Sequence, residues 1–154
     1  MLRSSQGRLG RRLLLALALL AVTVAVVAAA FSGGSRAAAA VSGLPVLKVS
    51  ERDFQIKAPK VVRAGELLLQ TKNLGPDTHE LLVVRFAGKR LPLRPDDMTV
   101  DEEALKSAMA LTVEGFERGR TKEARIHLTP GRYVLLCNMQ GHYLGGMHAA
   151  LTVR

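Results

Sequence analysis

Cys137 is the single cysteine of this 154-residue chain, and His142 and Met147 follow it at five-residue intervals in a Cys-x4-His-x4-Met array. One thiolate and two imidazoles in a trigonal plane, with a distant thioether on the axis, make the donor set of a mononuclear copper site that passes single electrons. A loop of this length, leaving the end of one strand and returning at the start of the next, can bring all three side chains onto one ion. Gly141, Gly145 and Gly146 allow the sharp backbone turns such wrapping requires. The second imidazole must come from elsewhere, and His79, just past the Gly75-Pro76 turn at the mouth of an apolar strand, is the natural supplier. The expectation is one copper ion held by His79, Cys137, His142 and Met147. The plain alternative for Cys137 is a small buried core residue. With no second cysteine, an intramolecular disulfide is excluded.

The chain has two further histidines, and strand parity separates them from the ligand set. His127 lies between Ile126 and Leu128, out of phase with the apolar face, and His148 is out of phase with Ala149, Leu151 and Val153, whereas Met147 shares their phase. Both are expected to point to solvent. Met98 and Met109 are read as packing residues.

The elements that must position these groups are strands. From Pro45 onward short apolar stretches alternate with period two between Gly, Pro and Asn punctuation, the pattern of an all-β sandwich or barrel of Greek-key type. Between Val46 and Ala58 the apolar parity shifts, from Leu47 and Val49 to Phe54, Ile56 and Ala58, and a bulge or a strand changing sheets is expected there. Leu67, Leu69 and Thr71 share a face, and Asn73-Leu74-Gly75-Pro76-Asp77 ends that strand in a turn. His79 to Phe86 reads as a central strand covered on both faces. Ala124-Ile126-Leu128, then Tyr133-Leu135-Cys137 after the Pro130-Gly131 turn, and finally Ala149-Leu151-Val153 complete the pattern. Asp101 to Met109 breaks it, with good helix formers and three acidic residues in the first turn, so a short surface helix is expected there.

Ahead of this domain, Met1 to Arg12 carries four arginines and no acid, and Leu13 to Phe31 is an uncharged run of 19 residues. A cleaved export signal has an apolar stretch of about 7–15 residues and a spanning helix needs about 17–25. Length favours an anchor, while Ala37 to Ala40 would suit signal peptidase and Arg11-Arg12 is weakly similar to a twin-arginine signal. Either way the basic flank stays in the cytoplasm and the rest is delivered outside. The expected organisation is 1–36 as export signal or membrane anchor, 37–44 as a flexible linker, and 45–154 as the folded domain, in the periplasm or at the cell surface and possessing a membrane tether at 13–31 if uncleaved. The formal charge of +9 is concentrated in the leader, since residues 37–154 hold 17 basic and 13 acidic side chains. That mild surplus, with no basic run, leaves no nucleic-acid footprint.

Phe54, then Asn73-Leu74-Gly75 followed by His79, then Leu128-Thr129-Pro130-Gly131-Arg132-Tyr133 leading to Cys137, His142, Gly146 and Met147, together resemble the cupredoxin family over about Val46 to Val153. The loop Cys137-Asn138-Met139-Gln140-Gly141-His142 is most similar to those of the rusticyanin, sulfocyanin and auracyanin types and of cupredoxin-like proteins linked to copper tolerance. The resemblance implies a monomeric one-electron carrier that is not an enzyme, with a cytochrome or an oxidase as redox partner. It also implies that the exposed edge of His142 lies in an apolar docking patch, for which Met139, Tyr143 and Leu144 are candidates. A second function carries the same ligand set, namely sequestration or delivery of copper under metal stress. The chain departs from plastocyanins and azurins at one position, where Glu80 replaces the Asn or Ser that follows the first histidine. A carboxylate only accepts hydrogen bonds and cannot donate to sulfur, which leaves the bracing of the site, its potential and its colour open; the plain alternative for Glu80 is a strand residue turned to solvent or to a basic neighbour.

Overall fold

A computed structural model of the chain describes residues 43–95 and 97–154. The proposed signal or anchor at 1–36 and the linker before Gly43 lie outside the described residues, and among these no helix is long and apolar enough to cross a membrane. Leu44–Arg154 forms one compact unit.

The expected all-β sandwich is present. Its strands are β1 (Val46–Arg52), β2 (Gln55–Lys57), β3 (Val61–Val62), β4 (Gly65–Asn73), β5 (His79–Arg85), β6 (Met109–Phe116), β7 (Thr121–Leu128), β8 (Gly131–Leu136) and β9 (His148–Val153). They form a four-stranded sheet in the order β2-β1-β4-β7 and a five-stranded sheet in the order β3-β9-β8-β5-β6. β1 runs parallel to β4 and β3 parallel to β9, while the other pairings are antiparallel.

Alternation decides what each strand buries. Leu47 and Val49 of β1, Leu67 and Leu69 of β4, and Ile126 and Leu128 of β7 face Leu81, Val83, Tyr133, Leu135, Leu151 and Val153 of the opposing sheet in one core. Tyr133 keeps its hydroxyl satisfied by donating to Thr129 O at 3.0 Å across the Pro130-Gly131 turn, so the ring can be buried without an orphaned polar atom. β5 is central and covered on both faces, as expected. Its other side, Leu82 and Val84, packs with Leu91, Val100, Leu105 and Leu136 in a second cluster. Each such side chain contributes roughly 1.5–3 kcal/mol by leaving water.

Two local expectations are corrected. The parity shift after Val49 is a tight hairpin within one sheet, pairing Arg52 with Gln55 and Glu51 with Ile56; the chain reverses at Asp53-Phe54, where Phe54 takes a left-handed φ of 59°. The helix is shorter than expected. Asp101 caps it by accepting from Ala104 N at 3.1 Å, and α1 spans only Glu102–Leu105 before a 3-10 turn, Lys106–Ala108, leads into β6. Met109 is therefore a strand residue, and it packs against the second cluster.

Candidate metal centre

Topology brings the candidate ligands to one end of the five-stranded sheet. β9, β8 and β5 are neighbours. Because the pairs are antiparallel, the start of β5, the end of β8 and the start of β9 share one edge. His79 opens β5, Cys137 follows β8, and Met147 precedes β9.

The loop from 137 to 147 is closed by its own backbone. Cys137 N donates to Met147 O at 3.1 Å, Met147 N to His142 O at 2.9 Å, and His142 N to Met139 O at 2.9 Å. Gly141 and Gly146 take left-handed φ values of 78° and 102°, conformations open to glycine at no steric cost. Gly145 has a different reason from the sharp turn expected of it. A Cβ there would collide with the ring of Phe54.

Cys137 Sγ lies 3.5 Å from His142 Nδ1 and 4.0 Å from His79 Nδ1. The three ligating atoms fall within 4.8 Å of one another. An ion with metal–nitrogen and metal–sulfur bonds of about 2.0–2.3 Å at trigonal angles sets sulfur and nitrogen about 3.8 Å apart, and the two observed separations bracket that value. His79, Cys137, His142 thus form a potential metal site whose donor chemistry suits copper. Met147 is fully buried in the core beside Cys137. His127 and His148 are exposed and lie outside the cluster; His127 Nδ1 is 2.9 Å from Glu66 Oε1, and the His148 ring stands 5.2 Å from that of Tyr143.

Burial governs the electrostatics. It pushes the Cys137 thiol up to about 11, against the pull of backbone hydrogen bonds from Glu80 and Met139. It also lowers the pKa of His79, helped by the neighbouring His142 and opposed by Asp53. Both shifts favour neutral groups in the absence of a cation, and a bound cation reverses the balance for the thiol.

Three residues contribute more than sequence reasoning assigned to them. Glu80 does not turn away to solvent. Its backbone amide supports the sulfur, and its carboxylate accepts from the backbone amide of Asn138; burial and the carboxylates of Glu102 and Glu114 raise its pKa. Asn138 is buried and clamps the ligand loop to the segment ahead of β6, accepting from Val100 N at 2.6 Å and donating to Val100 O at 3.1 Å and Glu102 Oε1 at 2.8 Å. Asn73 holds the turn before His79, donating to Asp77 O and Phe116 O at 2.8 and 2.9 Å and accepting from Gly75 N at 2.9 Å. The Asn73 turn was legible as punctuation, and the position of Asn138 directly after the cysteine was the one signal for its role.

Of the candidate patch residues, Leu144 is exposed, whereas Met139 packs against the main core and Tyr143 against the second cluster. Phe54 joins Leu144 at the surface, and each is 53% exposed.

No protein-family model matches the chain, and no curated protein does. Solved structures do. Reduced auracyanin from Roseiflexus castenholzii aligns over 71% of this chain and 96% of its own length, with a TM-score of 0.52 and 17% identity. Auracyanin A of Chloroflexus aurantiacus, described as a blue copper protein, aligns over 71% and 98% with a TM-score of 0.52 and 17% identity. Rusticyanin from Thiobacillus ferrooxidans aligns over 71% and 77% with a TM-score of 0.52 and 12% identity. Likeness at these identities establishes a common architecture, and the chain has the cupredoxin fold.

Proposed function

We propose that this cupredoxin-fold protein is a mononuclear blue-copper carrier of single electrons, working outside the cytoplasmic membrane, and not an enzyme. The observation that carries the reading is the convergence of His79 Nδ1, Cys137 Sγ and His142 Nδ1 within 4.8 Å at the buried end of the sandwich. These three residues would hold the ion, together with the thioether of Met147. Copper bound there supplies a one-electron couple, Cu(I) and Cu(II), which soft sulfur and borderline imidazole ligands accommodate in both states.

The surrounding chain supports that task by resisting rearrangement. His79 and Cys137 are fully buried at the ends of paired strands, and the ligand loop is closed by backbone hydrogen bonds. His79 and Cys137 are thereby kept from water, while the half-buried His142 stands edge-on to the exposed Phe54. An electron carrier needs such an exit and needs no substrate cavity. The partner on this reading is a membrane cytochrome or an oxidase, met by a monomer.

Residues 45–154 constitute the working domain. The apolar run at 13–31 delivers it across the membrane and, uncleaved, tethers it there. Copper titration followed by visible spectroscopy tests the copper centre, and cell fractionation with external protease tests the location.

A further inference from the structure

We propose that Asp53 is the positioning residue for His79, accepting the ring's Nε2 proton and so committing the imidazole to the tautomer that leaves Nδ1 facing Cys137. This inference rests on the copper-site reading above. Asp53 Oδ1 lies 3.1 Å from His79 Nε2. Both atoms are buried, and neither has an aligned hydrogen-bond partner among the described residues. The separation is that of a hydrogen bond, although the pair is not aligned as one, and among the described residues no third group bonds to either atom.

A buried polar atom is seldom left without a partner. A neutral imidazole carries one N–H, on Nδ1 or on Nε2. With the proton on Nδ1, the Nε2 lone pair would face the lone pairs of a carboxylate oxygen in a site with little water to screen them. With the proton on Nε2, that N–H stands 3.1 Å from the carboxylate oxygen and is attracted to it, and Nδ1 is free to donate its lone pair to a metal. Histidine ligands oriented by a carboxylate behind the ring follow the same logic.

The fold is arranged to bring this pair together. Asp53 sits in the two-residue turn of the β1–β2 hairpin, beside the left-handed Phe54. Leu74 N donates to Glu51 O at 2.7 Å, which ties the loop leading to His79 onto the end of β1. Gly75 lies between them, and a Cβ at that position would collide with Asp53 Oδ1 and come within 2.8 Å of His79 Nε2. Only glycine leaves room for the carboxylate and the imidazole to meet.

The test uses the full-length chain labelled with 15N-histidine and long-range proton–nitrogen correlation spectra, in the metal-free and Cu(I)-loaded states. The metal-free wild type is expected to show His79 as the Nε2–H tautomer. In Asp53→Ala that preference should be lost and copper affinity should fall about 10–100-fold, while Asp53→Asn, whose side-chain carbonyl still accepts, should restore both. A wild-type His79 protonated on Nδ1, an Asp53→Ala protein with unchanged tautomer and affinity, or an Asp53→Asn protein as impaired as Asp53→Ala would overturn the assignment. If Asp53→Ala does not fold, the wild-type tautomer and the Asp53→Asn affinity decide. A wild type that binds no copper strikes the copper reading instead, since the metal-free tautomer tests Asp53 without it.

Discussion

The ring of Phe54 stands edge-on to that of His142, centroids 5.5 Å apart and planes at 65°. Phe54 adopts φ 59°, in the left-handed region, and is 53% exposed. A bulky residue rarely takes that conformation, and backbone strain of this kind costs of order 1–3 kcal/mol. The strain places an apolar edge beside the proposed ligand nearest the surface, with Leu144 on the same loop as His142.

Replacing Leu144 by Asp should therefore slow electron exchange with the redox partner about tenfold, the loss of about 1.4 kcal/mol of docking energy. The copper spectrum should stay unchanged, because the ligands are untouched. Stopped-flow exchange with a membrane cytochrome or oxidase measures the rate. An unaltered rate, together with copper sensitivity on deleting the protein, would favour the copper-tolerance function over electron transfer.

Met147 is buried on the core side of the site, and His148 is exposed. Met147→Leu should retain copper and raise the reduction potential, since the proposed soft thioether donor is removed. His148→Ala should leave the potential where it was. Potentiometric titration of both variants checks this, and the reversed pattern would show that parity misassigned the axial ligand.

Glu51 shares the inward face of β1 with Leu47 and Val49, and it is fully buried. Thr71 Oγ1 donates to its Oε1 at 2.6 Å, while Oε2 has no hydrogen-bond partner among the described residues. Burial raises its pKa to about 7, with Thr71 opposing and Glu80 adding to the rise. A carboxyl raised on folding binds its proton more tightly in the native state, so its stabilising contribution is complete below the unfolded value near 4.5 and is lost as pH rises through about 7. Between pH 4.5 and 8 the metal-free protein should lose on the order of 3 kcal/mol relative to Glu51→Gln. Urea denaturation of both proteins at the two ends of that range measures the difference, and parallel pH profiles would contradict the assignment.

How much of this was legible depends on how local the signal is. Cys137, His142 and Met147 lie in one loop, so their spacing alone brings them together, and His79 follows a turn marked by Asn73, Gly75 and Pro76. The β5 strand was legible because Leu81 to Val84 are apolar on both faces. The β1–β2 hairpin was not, because its turn residues Asp53 and Phe54 include no glycine or asparagine and an aromatic supplies the positive φ. A break in parity reads equally as a bulge. Asp53 was hidden for the same reason, since its closeness to His79 depends on pairing between segments more than twenty residues apart. β6 was concealed by Met109-Ala110-Leu111, which continues the helix-forming composition, until the pairing of Leu111 and Val113 with β5 decides in favour of strand. The inward turn of Glu80 depends on the Asn138 backbone, which no property of residue 80 reveals.

The central claim is tested most directly by adding Cu(II) to residues 45–154, expressed alone, and recording the visible spectrum against copper content. The domain should fold without the first 44 residues, bind one copper per chain and develop an intense thiolate-to-copper band that Cys137→Ser abolishes. Two or more coppers per chain, or no charge-transfer band with Cys137 intact, would contradict the account.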